Sequence, residues 1–271
     1  MHSPVIDYEL GVVVEGVIER AVGRVIDFMH ENLGEQFTID DMARTAMYSK
    51  FHFSRTFQRV TGVSPGRFLA AIRVQEAKRL LVCTSLTVTD ISHRVGYTSV
   101  GTFSSKFRAS VGVPPTTYRQ LGGLTEPTPL PRRSPDNRTS TVQGEVRAPL
   151  GCPPAIIFLN LFPERVPRGK PVHCSMLQRP GPFVLTNVPP GTWHLQAHSV
   201  ALGRGGAVPD RGSLGRNRVL NVGSCGPVVV RPGARVENVD LNLRPIDALD
   251  PSVLLALQYI RTVAVDAAAA S

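Results

Sequence analysis

The stretch SKFHFSRTFQRVTGVSP, Ser49–Pro65, comes back fifty positions later as SVGTFSSKFRASVGVPP, Ser99–Pro115. At an offset of fifty, Phe53 pairs with Phe103, Phe57 with Phe107, Gly62 with Gly112, Val63 with Val113 and Pro65 with Pro115. A helix turns 100° per residue, so Phe53, Phe57 and Val60 share one face. The repeated positions are expected to be the buried side, and the changed ones the side left to solvent or a partner.

The resemblance extends upstream at an offset of 49, pairing Thr38 with Thr87, Ile39 with Val88, Asp41 with Asp90 and Tyr48 with Tyr97. Thr38 with Asp41 three residues on is close to a capping box and opens a short helix through Arg44. Each unit then reads as short helix, tight turn, longer helix, Gly, hydrophobic residue and Pro. That is the layout of a helix-turn-helix, whose second helix can enter a major groove. The pattern predicts helices at 13–33 (closed by Gly34), 38–44, 49–61, 65–81, 87–95, 100–111 and 114–121.

Opposite the phenylalanines of the first copy stand Phe51, Ser54, Arg55 and Gln58, flanked by Lys50, His52 and Arg59. Arg can pair with guanine through two parallel hydrogen bonds, Gln can pair with adenine, and an aromatic edge can touch a thymine methyl. The second copy offers Gly101, Ser104, Ser105 and Arg108, flanked by Val100, Thr102 and Lys106. Glycine inside a helix costs about 1 kcal/mol relative to alanine. A bare backbone at Gly101 could approach DNA closely.

Charge follows the repeat. Residues 1–43 carry two basic and nine acidic side chains, residues 44–121 twelve and two, and residues 122–271 sixteen and ten. The net charge of +9 thus concentrates where a phosphate-binding surface needs it. MHSPVIDYELG has no basic region leading a long apolar run, and no stretch approaches the roughly 20 apolar residues of a membrane span. Four dispersed cysteines, none in CxxC spacing, are expected as free thiols in a cytoplasmic protein.

The residues FTIDDMARTAMYSKFHFSRTFQRVTGVSPGRFL, RVQEAKRLL and TVTDISHRVGYTSVGTFSSKFRASVGVPPTTYR resemble the AraC/XylS family of transcriptional regulators over roughly residues 13–121. The resemblance implies two helix-turn-helix units, joined by a long helix, that place their reading helices in successive major grooves. By matching positions it implies base contacts from Phe51, Ser54, Arg55 and Gln58, and from Val100, Gly101, Thr102 and Ser105. Phosphate contacts would come from Lys50, Arg59, Arg67, Lys106 and Arg108. The second reading helix lacks long polar side chains, so the first unit is expected to supply most discrimination. The resemblance also implies recruitment of RNA polymerase, as an activator does. No catalytic residue, cofactor or metal follows from it.

After Leu121, the four-proline run at 122–140 reads as an extended linker. Seven short strands are expected at 141–147, 155–162, 182–188, 192–200, 218–223, 227–230 and 234–243, which suggests an antiparallel sandwich. The expected organisation is multi-domain: an all-α double helix-turn-helix domain (1–121), the linker (122–140), an all-β sandwich (141–250) and a terminal helix with tail (251–271). The stretches 181–200 and 226–245 resemble carboxypeptidase regulatory-like, transthyretin-type β-sandwich modules, which implies a binding or assembly role for a small molecule or protein effector. Trp193 is expected in the core, His194 and His198 on a solvated face, His173 and Cys174 in a loop, and Cys83 packed. The segment 203–216 reads as a loop. The apolar stripe of Leu254, Leu257 and Ile260 either packs on the sandwich or joins a homodimer.

Two alternatives stand beside the regulator: a non-specific architectural DNA binder, and a Cys-dependent DNA alkylation-repair enzyme. The enzyme needs a four-Cys zinc cluster ahead of the DNA-binding part, and nothing of that kind precedes residue 49.

Overall fold

The computed structural model describes residues 4–123, 140–152, 155–165, 167, 171–201 and 219–250. Most of the expected linker, the segment at 203–216 and the terminal helix and tail lie outside these residues.

Seven helices form the N-terminal half: α1 (Pro4–Glu31), α2 (Ile39–Ala46), α3 (Lys50–Thr61), α4 (Pro65–Cys83), α5 (Val88–Arg94), α6 (Val100–Val111) and α7 (Pro115–Gln120). α1 begins earlier than the periodicity suggests, with Pro4 in the first turn, where a missing N–H costs nothing. It also stops short of Gly34, and the Asn32 side-chain amide donates to the Phe28 carbonyl at 2.8 Å just past its end.

Both short helices open on complete capping boxes. The Asp41 carboxylate accepts from Thr38 N–H at 2.6 Å, and Asp90 accepts from Thr87 N–H at 3.2 Å. The threonine hydroxyls accept in return from the aspartate N–H groups, at 3.3 and 3.1 Å. Such caps contribute about 1 kcal/mol each. Gly62 and Gly112 close α3 and α6 in the left-handed conformation. Pro65 and Pro115 then start α4 and α7.

The repeated aromatics build two cores of the same design. Phe53 and Phe57 are fully buried, 5.5 Å apart, with Phe68 against Phe57 at 5.4 Å. Phe103 and Phe107 lie 5.7 Å apart, with Tyr118 against Phe107 at 5.6 Å. The first core takes Val22, Val25, Ile26 and Met29 from α1 and Phe68, Leu69 and Ile72 from α4. The second takes Val74, Ala77, Leu80 and Leu81 from the other end of α4. One helix therefore belongs to both cores.

The C-terminal half contains β1 (Thr141–Arg147), β2 (Ala155–Phe162), β3 (His173–Leu177), β4 (Gly181–Leu185), β5 (Gly191–Ala201), β6 (Val219–Val230), β7 (Arg235–Val236), β8 (Leu241–Asn242) and β9 (Arg244–Pro245). They form two sheets, one ordered β4-β1-β7 with β8 also on β1, the other β3-β2-β5-β6-β9. A single apolar core draws Val142, Val146, Phe183 and Leu185 from the first sheet and Ile157, Leu159, Leu195 and Val228 from the second.

Several expectations need correction here. The runs 218–223 and 227–230 are one strand, because a register shift opposite His194 absorbs Gly226 and Pro227. The run 234–243 breaks into short pairings around Asn238, whose φ is 60°. β7 and β8 pair parallel with β1, so the arrangement is not wholly antiparallel. His173 and Cys174 belong to an edge strand rather than a loop, and His173 is buried with Nε2 2.9 Å from the Thr186 carbonyl.

His198 is not solvated either. It is buried and stacks on Phe158 at 5.4 Å and 13°, and burial pushes its pKa down to about 3. Trp193 packs partly against the core, and its indole N–H donates to the Pro189 carbonyl at 2.8 Å. Cys83 is exposed, not packed, and all four cysteines are free thiols. Among the described residues no helix is long and apolar enough to cross a membrane.

Candidate nucleic-acid interface

Burying Phe53, Phe57, Thr56 and Thr61 leaves α3 one exposed side. On it, Phe51, Arg55 and Gln58 fall within about 60° of one another at helical spacing. Arg55, Gln58 and Arg59 are exposed. Phe51 is 80% exposed, an arrangement that hydrophobic burial alone never selects. Ser54 is half-buried and its hydroxyl donates to the Lys50 carbonyl at 2.9 Å. The Lys50 ammonium reaches back to Asp40 on α2 at 3.1 Å.

α6 repeats the plan with smaller side chains. Gly101, Thr102, Ser105, Lys106 and Arg108 are exposed, whereas Val100 is half-buried. A Cβ built at Gly101 would meet nothing closer than the Ser99 hydroxyl at 3.7 Å. Packing within the chain thus gives no reason for glycine there. The Lys106 ammonium lies 5.6 Å from the Tyr97 ring centroid, a weak cation–π contact.

Of the thirteen candidate residues, six lie on α3, with Lys50 at its first turn, six lie on α6, and Arg67 lies on α4. Arg67 is set apart. It lies in the first turn of α4, and its guanidinium pairs with Glu164 of the C-terminal half.

Three residues that the pattern did not single out tie the two units together. Arg73, midway along α4, donates to the Glu35 carbonyl at 2.8 Å. Its guanidinium also lies 5.8 Å from the Phe37 ring centroid and 5.7 Å from that of Tyr97. Gln36 donates its side-chain amide to the Gly96 carbonyl at 2.7 Å. Gly96 sits at φ +79°, where a Cβ would come within 2.4 Å of both Arg73 and the Leu33 carbonyl. The loop after α1 and the turn between α5 and α6 are thereby pinned on one cation. The available signal was an arginine and a glycine inside otherwise regular units.

The capping aspartates are poised by the same bonds that shape the turns. Hydrogen bonds from the Thr38 backbone and hydroxyl hold Asp41 below the usual carboxylate range, and those from the Thr87 hydroxyl and backbone do the same for Asp90. Among the described residues no group of three or more His, Cys, Asp or Glu is placed to hold a metal ion.

Comparison with known proteins adds to this geometry. Residues 42–121 match a helix-turn-helix domain model. The HTH-type transcriptional activator AarP of Providencia stuartii is 30% identical over 98 residues, covering 36% of this chain and 73% of that one. An uncharacterized HTH-type transcriptional regulator, YobQ of Bacillus subtilis (strain 168), is 35% identical over 94 residues, 35% of this chain and 39% of that one. The chain therefore spans well under half of YobQ. Among solved structures, the DNA-binding domain of AdpA in complex with a target DNA is similar at 32% identity, with a TM-score of 0.36, over 37% of this chain and 90% of that one. The paired units, the helix-turn-helix match and the likeness to AarP place the chain in the family of AraC-type helix-turn-helix transcriptional regulators, with their DNA-binding domain at its N-terminal end.

Proposed function

We propose that the chain is a sequence-specific regulator of transcription that grips one side of a duplex with α3 and α6. The observation that carries this reading is the division of each unit: matched phenylalanines buried inside, and unmatched polar and aromatic residues outside. Phe51, Ser54, Arg55 and Gln58 contact bases from α3, and Val100, Gly101, Thr102 and Ser105 from α6. Lys50, Arg59, Arg67, Lys106 and Arg108 contact phosphates. α3 supplies most discrimination, since α6 offers no long polar side chain among its base-contacting set.

The working divisions are 1–121 for DNA binding, 122–140 as linker, 141–250 as a β-sandwich and 251–271 as helix and tail. The shared core between two sheets supports the sandwich. In this reading the protein works in the cytoplasm without chemistry of its own. The sandwich senses a small molecule or protein partner, RNA polymerase is recruited as an activator would recruit it, and the chain pairs as a homodimer.

Selection of binding sites from random DNA tests the assignment. Arg55→Ala is expected to relax preference at one base position at a cost of about 1–3 kcal/mol. Lys106→Ala is expected to weaken all sequences alike and reduce the salt slope by about one. A preferred site altered more by Thr102→Ala than by Arg55→Ala would reverse the roles of the two helices. No enrichment of any sequence would leave the architectural binder.

A further inference from the structure

We infer that Arg67 has two mutually exclusive partners, duplex phosphate and the chain's own Glu164, so that docking of the C-terminal half lowers DNA affinity. The inference rests on Arg67 being a phosphate contact, as proposed above.

Glu164 lies two residues beyond the end of β2, and its carboxylate pairs with the Arg67 guanidinium in the first turn of α4. The next residue, Arg165, lies against the other side of the same corner. Its guanidinium carbon would be 3.1 Å from a Cβ at Gly62, the residue that caps α3. The Arg165 carbonyl accepts from the Gln196 side-chain amide at 2.8 Å, which anchors this short segment to β5. Leu249 adds an apolar contact with the core of the first unit.

The signs of these contacts match the helix ends. The N-terminus of α4 carries partial positive charge and receives the glutamate; the C-terminus of α3 carries partial negative charge and receives the arginine. Exchanging the two neighbours would make both contacts repulsive. A phosphate oxygen would use the same partners as the Glu164 carboxylate, namely a helix N-terminus and an arginine. Glu164 thus occupies the place of a backbone phosphate.

The contact is built to separate. A cavity of about 350 Å³ lies in the same seam, lined from the helical side by Glu19 and Thr61 and from the other by Arg165, Gln196, Ser224 and Arg244. The Arg67 and Glu164 side chains remain 43% and 45% exposed, so the pair is screened and modest in strength.

The test uses the full chain and a duplex of random sequence, with affinity measured across a salt series. Glu164→Gln is expected to tighten binding about two- to fivefold at low salt. It should also steepen the plot of log affinity against log salt by up to about 0.9. Adding Arg67→Ala to Glu164→Gln should abolish both gains. Should Glu164→Gln change nothing while Arg67→Ala in that background still flattens the slope, Arg67 touches phosphate but the competition with Glu164 is refuted. Should Arg67→Ala in that background leave the slope unchanged, the phosphate reading fails and takes the inference with it. A gain that survives Arg67→Ala also overturns the inference, because it must arise elsewhere. Glu164 is exposed and lies outside the sheets, and Trp193 fluorescence reports whether the sheet half remains folded.

Discussion

Gly101→Ala separates what the fold needs from what DNA needs. In the first turn of α6 this residue is exposed, and an added methyl meets only the Ser99 hydroxyl at an ordinary 3.7 Å. Nothing in the chain opposes the substitution, while alanine restricts the unfolded chain and favours the helix. The expected gain is on the order of 0.5–1 kcal/mol, or a few degrees in the melting of the helical half, read by far-ultraviolet circular dichroism. DNA binding should move the opposite way. If the backbone of α6 lies against the duplex, a methyl on that surface forces it outward and loosens the neighbouring contacts of Thr102 and Ser105. A loss of about tenfold or more is expected, corresponding to about 1.4 kcal/mol. A stabilised variant that binds DNA within about twofold of the parent would refute the close approach. A destabilised variant would refute the argument that the site is open.

Two further outcomes follow from other parts of the molecule. Arg73→Gln removes a cation shared by the loop after α1 and the second unit. Amide exchange at residues 33–37 and 94–97 should accelerate, with a loss of about 1–2 kcal/mol and weaker DNA binding, while Trp193 fluorescence is unchanged. Unaltered exchange in those segments would show that α4 alone sets the units' placement. His198 gives the C-terminal half an acid sensitivity: its folded pKa of about 3 lies below the unfolded value of about 6.5, so the unfolded chain takes up the proton first. Stability is whole above pH 6.5 and falls as pH drops toward 3, by about 2 kcal/mol at pH 5. His198→Gln should reduce that slope by about one proton when the Trp193 signal is followed in denaturant, leaving the part due to His173, whose pKa burial also lowers.

Much of the helical half was legible because its determinants are local. A threonine with an aspartate three residues on, a glycine after α3 and after α6, and phenylalanines four apart each act within a turn or two, and each occurs twice. The bridge of Arg73, Gln36 and Gly96 was not legible, since periodicity reveals which face is buried but not what it meets sixty residues away. The same limit hid Glu164 from Arg67, which lie 97 positions apart. In the sheet half, Gly226-Pro227 reads as a turn, yet a bulge let the strand run through it. His173-Cys174 reads as a loop pair because an edge strand needs pairing on one side only and tolerates a mixed composition. His198 fell on the alternate face of β5 as expected, but alternation cannot say whether that face is covered.

The membership of α4 in both cores has a mechanical consequence. Neither unit keeps a closed interior once that rod is withdrawn, so no cut through the middle yields two self-sufficient halves. Damage at one end of α4 is therefore expected to reach the other as lost support, and the pair to melt as a single cooperative body.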